Sequence, residues 1–410
     1  MPRSMQKLHE IRAVPPPIWN EPTLSDYVDL SIQLDVITPM YGGGPDAGEV
    51  DEITPIRASS IRGNLRFWWR TLCGPHCTDV QKLFERESEL WGSTASGGKV
   101  SVRTELKSAG VNCGIDRGNA ANGPMGAYFQ FPFQAQQKLG IKEKPGRQGV
   151  SFVLHIRCTK DNYNEVCAAL RAWIAFGGVG ARTRRALGAL QAVDADANNW
   201  RIPAEPGSRT QWFQDLFEPF RPRTAVGDVP GFATLNNAVF LAGNAADPIH
   251  TWNSLGKFWA RFRKGHIGGE EYIPMNGSYW SDYDVLGVFQ SSDSYISLSK
   301  PALGLPIIYQ KFAGGGFDGE VHAEAGTRFA SPVILKPAAF ADGTIRPLCL
   351  VLFSSGTPER VKINGTIVDL HVPGPGEEQV LNNLRAINPL DAVVKSFEQE
   401  FDCEREVIAI

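Results

Sequence analysis

The order in which the hydrophobic period changes along residues 24–197 constrains this chain more than any other feature. From Val28 to Val36 apolar residues alternate with Asp29, Ser31, Gln33 and Asp35, the period of a half-buried strand. Thr38-Pro39 and Gly42-Gly43-Gly44 end it. Ser59 and Ser60 offer N-cap hydroxyls to a helix over residues 61–72, with Gly74-Pro75 as the stop. Strand patterns follow over 99–106, 126–133 and 150–158, then a helix over 162–176, a glycine-rich turn and a strand over 186–193. Strand, helix, strands, helix, strand is the order of a ferredoxin-like βαββαβ unit, so the fold class is α+β.

Residues 200–230, rich in Pro, Trp and Arg, break every period and read as a connecting segment. Beyond them lie strand patterns over 238–242, 305–312, 331–338 and 346–353 and a helix over 255–263. Residues 377–400 are largely helical, with a break at Pro389. No period of about 20–50 residues repeats, which excludes a solenoid. A chain of 410 residues, 42% of them hydrophobic, fills two cores more readily than one. The expectation is two ferredoxin-like (RRM-like) domains in tandem. An N-terminal extension takes 1–23, the first domain 24–197, the connection 198–235, and the second domain, with a C-terminal helix, 236–410.

A net charge of −3 provides no global attraction for nucleic acid, so any such role rests on local clusters of Arg and Lys. Seven scattered cysteines do not form the framework of a secreted domain, and the N-terminus lacks the apolar core of a signal peptide. No stretch approaches the roughly 20 apolar residues of a membrane span. The sequence therefore predicts a cytoplasmic protein without a membrane partner.

Two clusters stand out. In the helix over 61–72, Arg62, Arg66 and Arg70 recur every four residues beside an apolar stripe of Ile61, Leu65, Trp68 and Leu72. No Asp or Glu lies between Glu52 and Asp79, so no in-helix pair neutralises them. Arg57 and Ser60 sit at the helix start, where backbone N–H groups add to the field felt by a phosphate. Trp69, at the edge of the stripe, is a candidate to stack on a base. The competing reading is a solvated face, or ion pairs to carboxylates distant in sequence. The second cluster runs from Gly177 to Gly188. There Gly178 and Gly180 permit close backbone approach, while Arg182, Thr183, Arg184 and Arg185 supply donors. It is neither a Walker A loop nor a dinucleotide fingerprint, so no cofactor is implied; a plain tight turn is the alternative.

Weaker candidates remain. Lys257, Arg261, Arg263, Lys264 and His266 form a basic segment in the second half that serves equally as a solvated helix face. Cys73, His76 and Cys77 lack a second ligand pair at zinc-finger spacing. Asp46, Glu49, Asp51 and Glu52 crowd one loop, where a divalent ion for RNA cleavage competes with simple solvation.

Three segments together, Ile37 to Gly44, Ile61 to Arg70 and Gly177 to Arg185, strongly resemble the RAMP superfamily. More narrowly they resemble the first RAMP subunit of the Cmr module of type III-B CRISPR systems, chiefly through Leu65-Arg66-Phe67-Trp68-Trp69-Arg70. Leu303-Gly304-Leu305-Pro306 and Arg328-Phe329-Ala330-Ser331-Pro332 extend the likeness into the C-terminal half. This resemblance implies a non-catalytic subunit beside other RAMP subunits, contacting guide RNA near its 3′ end and helping to capture target RNA for antiviral defence. It also implies RNA contacts at Arg57, Ser60, Arg62, Arg66 and Arg70, and at Arg182, Thr183, Arg184 and Arg185. A metal-dependent ribonuclease or CRISPR-precursor processing enzyme, and a purely protein-bridging module, are the alternatives. The mid-chain position of the glycine-rich loop counts against the processing enzyme, and the two acid-poor arginine clusters count against bridging alone.

Overall fold

The computed structural model describes residues 26–44, 46, 48–115, 127–135, 140, 142–220, 229, 231–265, 280–309, 317–324, 328–354, 356–403 and 405–409. The expected N-terminal extension, His266, and part of the 305–312 strand lie outside them. The first unit runs β1 (Tyr27–Val36), α1 (Ala58–Cys73), α2 (Val80–Trp91), β2 (Val100–Cys113), α3 (Ala127–Gln130), β3 (Gly146–Thr159), α4 (Tyr163–Phe176) and β4 (Leu190–Ala192). Its sheet has the order β2-β3-β1-β4 and is antiparallel throughout. The alternation seen from Val28 sets this register. Leu34 lies opposite Phe152 and Leu30 opposite Ile156, which turns the apolar set of each strand toward α1 and α4. The opposite face is polar: Ser31 Oγ hydrogen-bonds His155 Nδ1 at 2.8 Å, and Arg157 pairs with Asp29 at 2.7 Å.

After α5 (Pro206–Phe217) come β5 (Thr234–Ala242), α6 (Pro248–Arg263), α7 (Asp282–Val288), β6 (Tyr295–Ser297), β7 (Ile307–Tyr309) and β8 (Gly319–Ala323). They are followed by β9 (Val333–Ala339), β10 (Ile345–Phe353), β11 (Arg360–Ile363), β12 (Thr366–His371), α8 (Gln379–Leu384), α9 (Pro389–Phe401) and β13 (Arg405–Val407). Strands β13-β5-β10-β9 form a second sheet with the same strand permutation as the first, covered by α6 and α9. The architecture is thus α+β with two ferredoxin-like units, the class expected. A third sheet, β6-β12-β11-β8-β7, has its own core of Leu298, Val321, Val361 and Ile363 and was not anticipated. The buried carboxylate of Asp282 ties it down, accepting from the Ser299 and Lys300 N–H groups at 3.1 Å and from the Tyr309 hydroxyl at 3.0 Å.

The second sheet is covered on both faces. Phe176 of α4 and Phe213 of α5 pack on Phe240 of β5, and β9 and β10 likewise read as near-continuous apolar runs. Here the connecting segment departs from expectation: within it α5 buries Trp212, Phe213, Leu216 and Phe217 in the seam between the units. Residues 127–133 form a short helix and a 3₁₀ turn, not a strand: Phe129 and Phe133 are buried while Phe131 between them is exposed, whereas a strand would place all three on one face. Pro389 opens α9 at its first helical position, where the missing N–H is harmless.

Lys336 of β9 is buried in this seam and donates its Nζ to the carbonyl of Ile174 at the C-terminal end of α4. Burial pushes its ammonium from the ordinary 10.5 to about 7. Between those values the unfolded chain holds the extra proton, so stability rises with pH and is flat below about 7. Above about pH 9 the buried thiols of Cys158, Cys349 and Cys403, held above their ordinary value, oppose the rise. Urea unfolding at pH 7, 8 and 9 should show a rise that is smaller by about 1–2 kcal/mol in Lys336→Met, where buried Lys300, lowered to about 8, supplies what remains. An identical pH dependence in the two proteins contradicts this role.

Candidate nucleic-acid interface

The loop after β1, the start of α1 and the glycine-rich loop meet through backbone contacts. Ala181 N–H donates to Tyr41 O at 2.6 Å and Gly188 N–H to Pro39 O at 3.0 Å, which clamps the two loops together. Glycine is required at two points of this contact. A Cβ on Gly180, whose φ is +81°, would stand 2.5 Å from Tyr41 O, and one on Gly178 would stand 2.6 Å from Gly188 O. Both glycines therefore serve close approach, but to the chain's own backbone. Arg57 precedes the first residue of α1, and its Nη2 donates to Gly44 O at 2.9 Å. No side chain caps this helix and its first turn holds no acid, so Ser59 and Ser60 are exposed first-turn residues instead of caps. The N-terminal end of the helix keeps its positive field.

Residues 33–191, which hold all of these loops, match the family model described as the RAMP superfamily. The match covers less than half of the chain. The CRISPR system Cmr subunit Cmr1-1 of Pyrococcus furiosus is 27% identical over 149 residues, covering 36% of this chain and 43% of that protein. Cmr1-2 of the same organism is 26% identical over 175 residues, covering 38% of this chain and 91% of that protein. The alignment thus spans less than half the length of the first of these relatives and most of the second. The crystal structure of Pyrococcus furiosus Cmr1 in its apo form superposes with a TM-score of 0.56 at 14% identity, covering 93% of this chain and 99% of that one. A chain of the type III-B Cmr-beta complex bound to cognate target RNA and AMPPnP gives 0.51 at 11% identity, covering 92% and 100%. At such identities these two likenesses speak to the fold.

Within the RAMP segment the arginines of α1 divide. The buried carboxylate of Glu87, on α2, accepts from Arg66 Nε and Arg70 Nη1, both at 2.6 Å. The acid-free helix is therefore neutralised in part from the next helix. One carboxylate facing two guanidiniums leaves one positive charge in excess. Arg62 donates Nη2 to the carbonyl of Trp91 at the end of α2. Trp69 does not offer a ring face to solvent: it is 0% exposed, and its indole N–H donates to Glu165 at 2.9 Å. Arg86 lies over its ring at 5.8 Å, so Trp69 is part of the core between α1, α2 and α4.

The glycine-rich loop divides as well. Arg184 donates to Ser331 O and lies 5.0 Å over the ring of Phe67. Arg185 donates to the Ser331 hydroxyl at 2.7 Å and to Val333 O, and stacks 4.4 Å from the centroid of Trp259 on α6. Its backbone bridges Leu335 of β9. These two arginines bind the loop to the second unit. Thr183 is partly buried, while Arg182 is exposed, in the left-handed region at φ +58°. Burial, and then Arg182, Arg263 and Arg184 in turn, hold the Arg185 guanidinium below the ordinary arginine value.

In the second unit Lys257 is exposed, Arg261 pairs with Glu400 at 3.5 Å, and Arg263 ends α6 partly exposed. Among the loop acids, Asp51 accepts the N–H groups of Ile53 and Thr54 at 2.9 and 2.8 Å, and Glu49 pairs with Lys144 at 3.7 Å. These contacts make that loop a capped turn. Cys73 and Cys77 lie 3.7 Å apart at sulfur, and the His76 ring stacks on Phe220 at 6.0 Å; among the described residues no three metal-ligating side chains converge there.

Glu87 was missed in the sequence because α2 went unread, although Asp79, which accepts from Lys82 N–H at 2.9 Å, is a legible N-cap. Glu87→Gln should lower unfolding free energy by about 2 kcal/mol, below the roughly 3–5 of a fully buried pair because Arg66 and Arg70 keep part of their hydration. Chemical denaturation measures it; an unchanged midpoint would mean the two arginines do not depend on this carboxylate.

Proposed function

We propose that this chain is a non-catalytic, RNA-binding subunit of a type III-B CRISPR ribonucleoprotein that holds guide RNA near its 3′ end and helps to seat target RNA for antiviral defence. The observation that carries the reading is a cationic ridge inside the RAMP segment. It runs from Arg57 at the uncapped start of α1, past the Gly42 to Gly44 loop, to Arg182. Among the described residues neither arginine forms an ion pair, although the Asp51 carboxylate lies near enough to Arg57 to feel its charge. Guanidiniums beside open backbone N–H groups suit phosphates, which position a strand without reading its bases. The relatives named as Cmr subunits, and the whole-chain likeness to a chain of a complex bound to target RNA, support the CRISPR assignment by analogy.

The proposed contacts are accordingly Arg57, Ser60 and Arg182, with Thr183 beside them and the excess charge of Arg62, Arg66 and Arg70 adding attraction at longer range. Gly178, Gly180, Arg184 and Arg185 act by holding the loop in place, and Lys257 and Arg263 extend the positive surface, Arg261 being paired with Glu400.

Single-stranded RNA binding releases condensed counterions, with a logarithmic salt slope of roughly −0.7 for each neutralised phosphate. Arg57→Ala and Arg182→Ala should each flatten that slope by about 0.7 and weaken binding equally for unrelated sequences, leaving the folded state intact. The purified chain should leave RNA uncut with magnesium or manganese. Divalent-dependent cleavage, or wild-type salt slopes in both variants, would overturn the reading.

A further inference from the structure

Arg182 on the ridge and Arg263 on α6 come from different units and reach one neighbourhood. Arg182 opens a tight turn in which the Arg185 N–H returns to Arg182 O at 2.8 Å. Arg185 then lies on Trp259 at 4.4 Å. Arg263 follows Trp259 by four residues on the same helix, one turn along the same face. The stacking of Arg185 therefore brings Arg182, on the loop of the first unit, beside Arg263, at the C-terminal end of α6 in the second.

Neither Arg182 nor Arg263 has a carboxylate partner among the described residues, and both remain at least partly exposed. Each adds repulsion to the already desolvated Arg185. Like charges gathered in a half-desolvated place are costly until an anion arrives, and the Asp282 carboxylate near Arg263 is already taken by Tyr309 and the Ser299 and Lys300 N–H groups. Guanidiniums approaching from two sides can each give a pair of N–H donors to different oxygens of one tetrahedral group.

We propose that Arg182 and Arg263 form one composite site, built from both ferredoxin-like units, that holds a single phosphate group of bound RNA. The proposal rests on the RNA-binding reading above and adds a contact from the second unit that the RAMP segment does not contain. It makes the relative placement of the two units part of the binding surface.

The test uses the full chain and a series of single-stranded RNA oligonucleotides, each carrying one uncharged methylphosphonate linkage, with parallel arms bearing a 3′-phosphate or a 3′-hydroxyl. Wild-type affinity should fall roughly tenfold at one linkage, or on loss of the terminal phosphate. Arg182→Ala and Arg263→Ala should each bind the unmodified RNA roughly tenfold more weakly and be indifferent to that same change. An internal linkage identifies a phosphodiester in the site, and sensitivity confined to the 3′-phosphate identifies a terminal group; either supports the site. Arg263→Lys, which keeps the charge, should recover most of the affinity, and thermal unfolding of the variants checks that the fold is intact. Wild-type affinity in Arg263→Ala, or sensitivity of the two alanine variants to different phosphates, overturns the composite site while leaving the wider reading standing. Absence of RNA binding by the wild-type chain overturns both.

Discussion

Arg185 lies between the two ferredoxin-like units, its guanidinium over the ring of Trp259 and its donors on Ser331 and Val333, while its backbone bridges Leu335. A charged group in such a place persists only if its donors are satisfied and its planar face is packed, and both conditions are met here. The rest of the arrangement follows from this contact. It fixes the glycine-rich loop, which in turn grips the loop after β1 through Ala181 and Gly188, and so determines what stands beside the open end of α1. Lys336 and the aromatic contacts of α5 close the same seam from the other side.

The division of labour among the arginines is a consequence. Glycine-rich loops with several basic residues suggest, on composition, that all the cations serve one ligand. In this fold Arg184 and Arg185 are used internally and Arg182 is left outside. On α1 the same split occurs, with Glu87 holding Arg66 and Arg70 while Arg57 remains at the helix start. The surface proposed to attract RNA and the seam that joins two units thus share one loop, which couples unit placement to the charge pattern on that surface.

Much of the fold was legible because period and length act together. Val28 to Val36 and Val150 to Cys158 alternate over enough residues to fix their faces, and the helices beside them end at glycines. The third sheet was not legible, since strands such as Tyr295–Ser297 and Ile307–Tyr309 are too short to display a period. The helix α5 was hidden by the Pro and Arg around it, and its burial is decided by the second unit. For the site, the position of the loops could be read but not the partners of their side chains. Glu87 is seventeen residues from Arg70 and Ser331 is far from Arg185 in sequence, and tertiary pairing of that kind leaves no local signal. Trp69 sits one residue beyond Trp68, and a stripe argument alone does not say that α4 supplies an acceptor, Glu165, for its N–H.

The most direct measurement of the central claim is an electron cryo-microscopy structure of the assembled ribonucleoprotein, at a resolution that separates guanidinium groups from phosphates. The account predicts Arg182 within hydrogen-bond distance of an RNA phosphate oxygen while Arg185 keeps its contacts to Ser331, Val333 and Trp259. A structure in which Arg185 leaves that seam to hold a phosphate, or in which the RNA passes elsewhere and Arg182 meets only solvent, would contradict it.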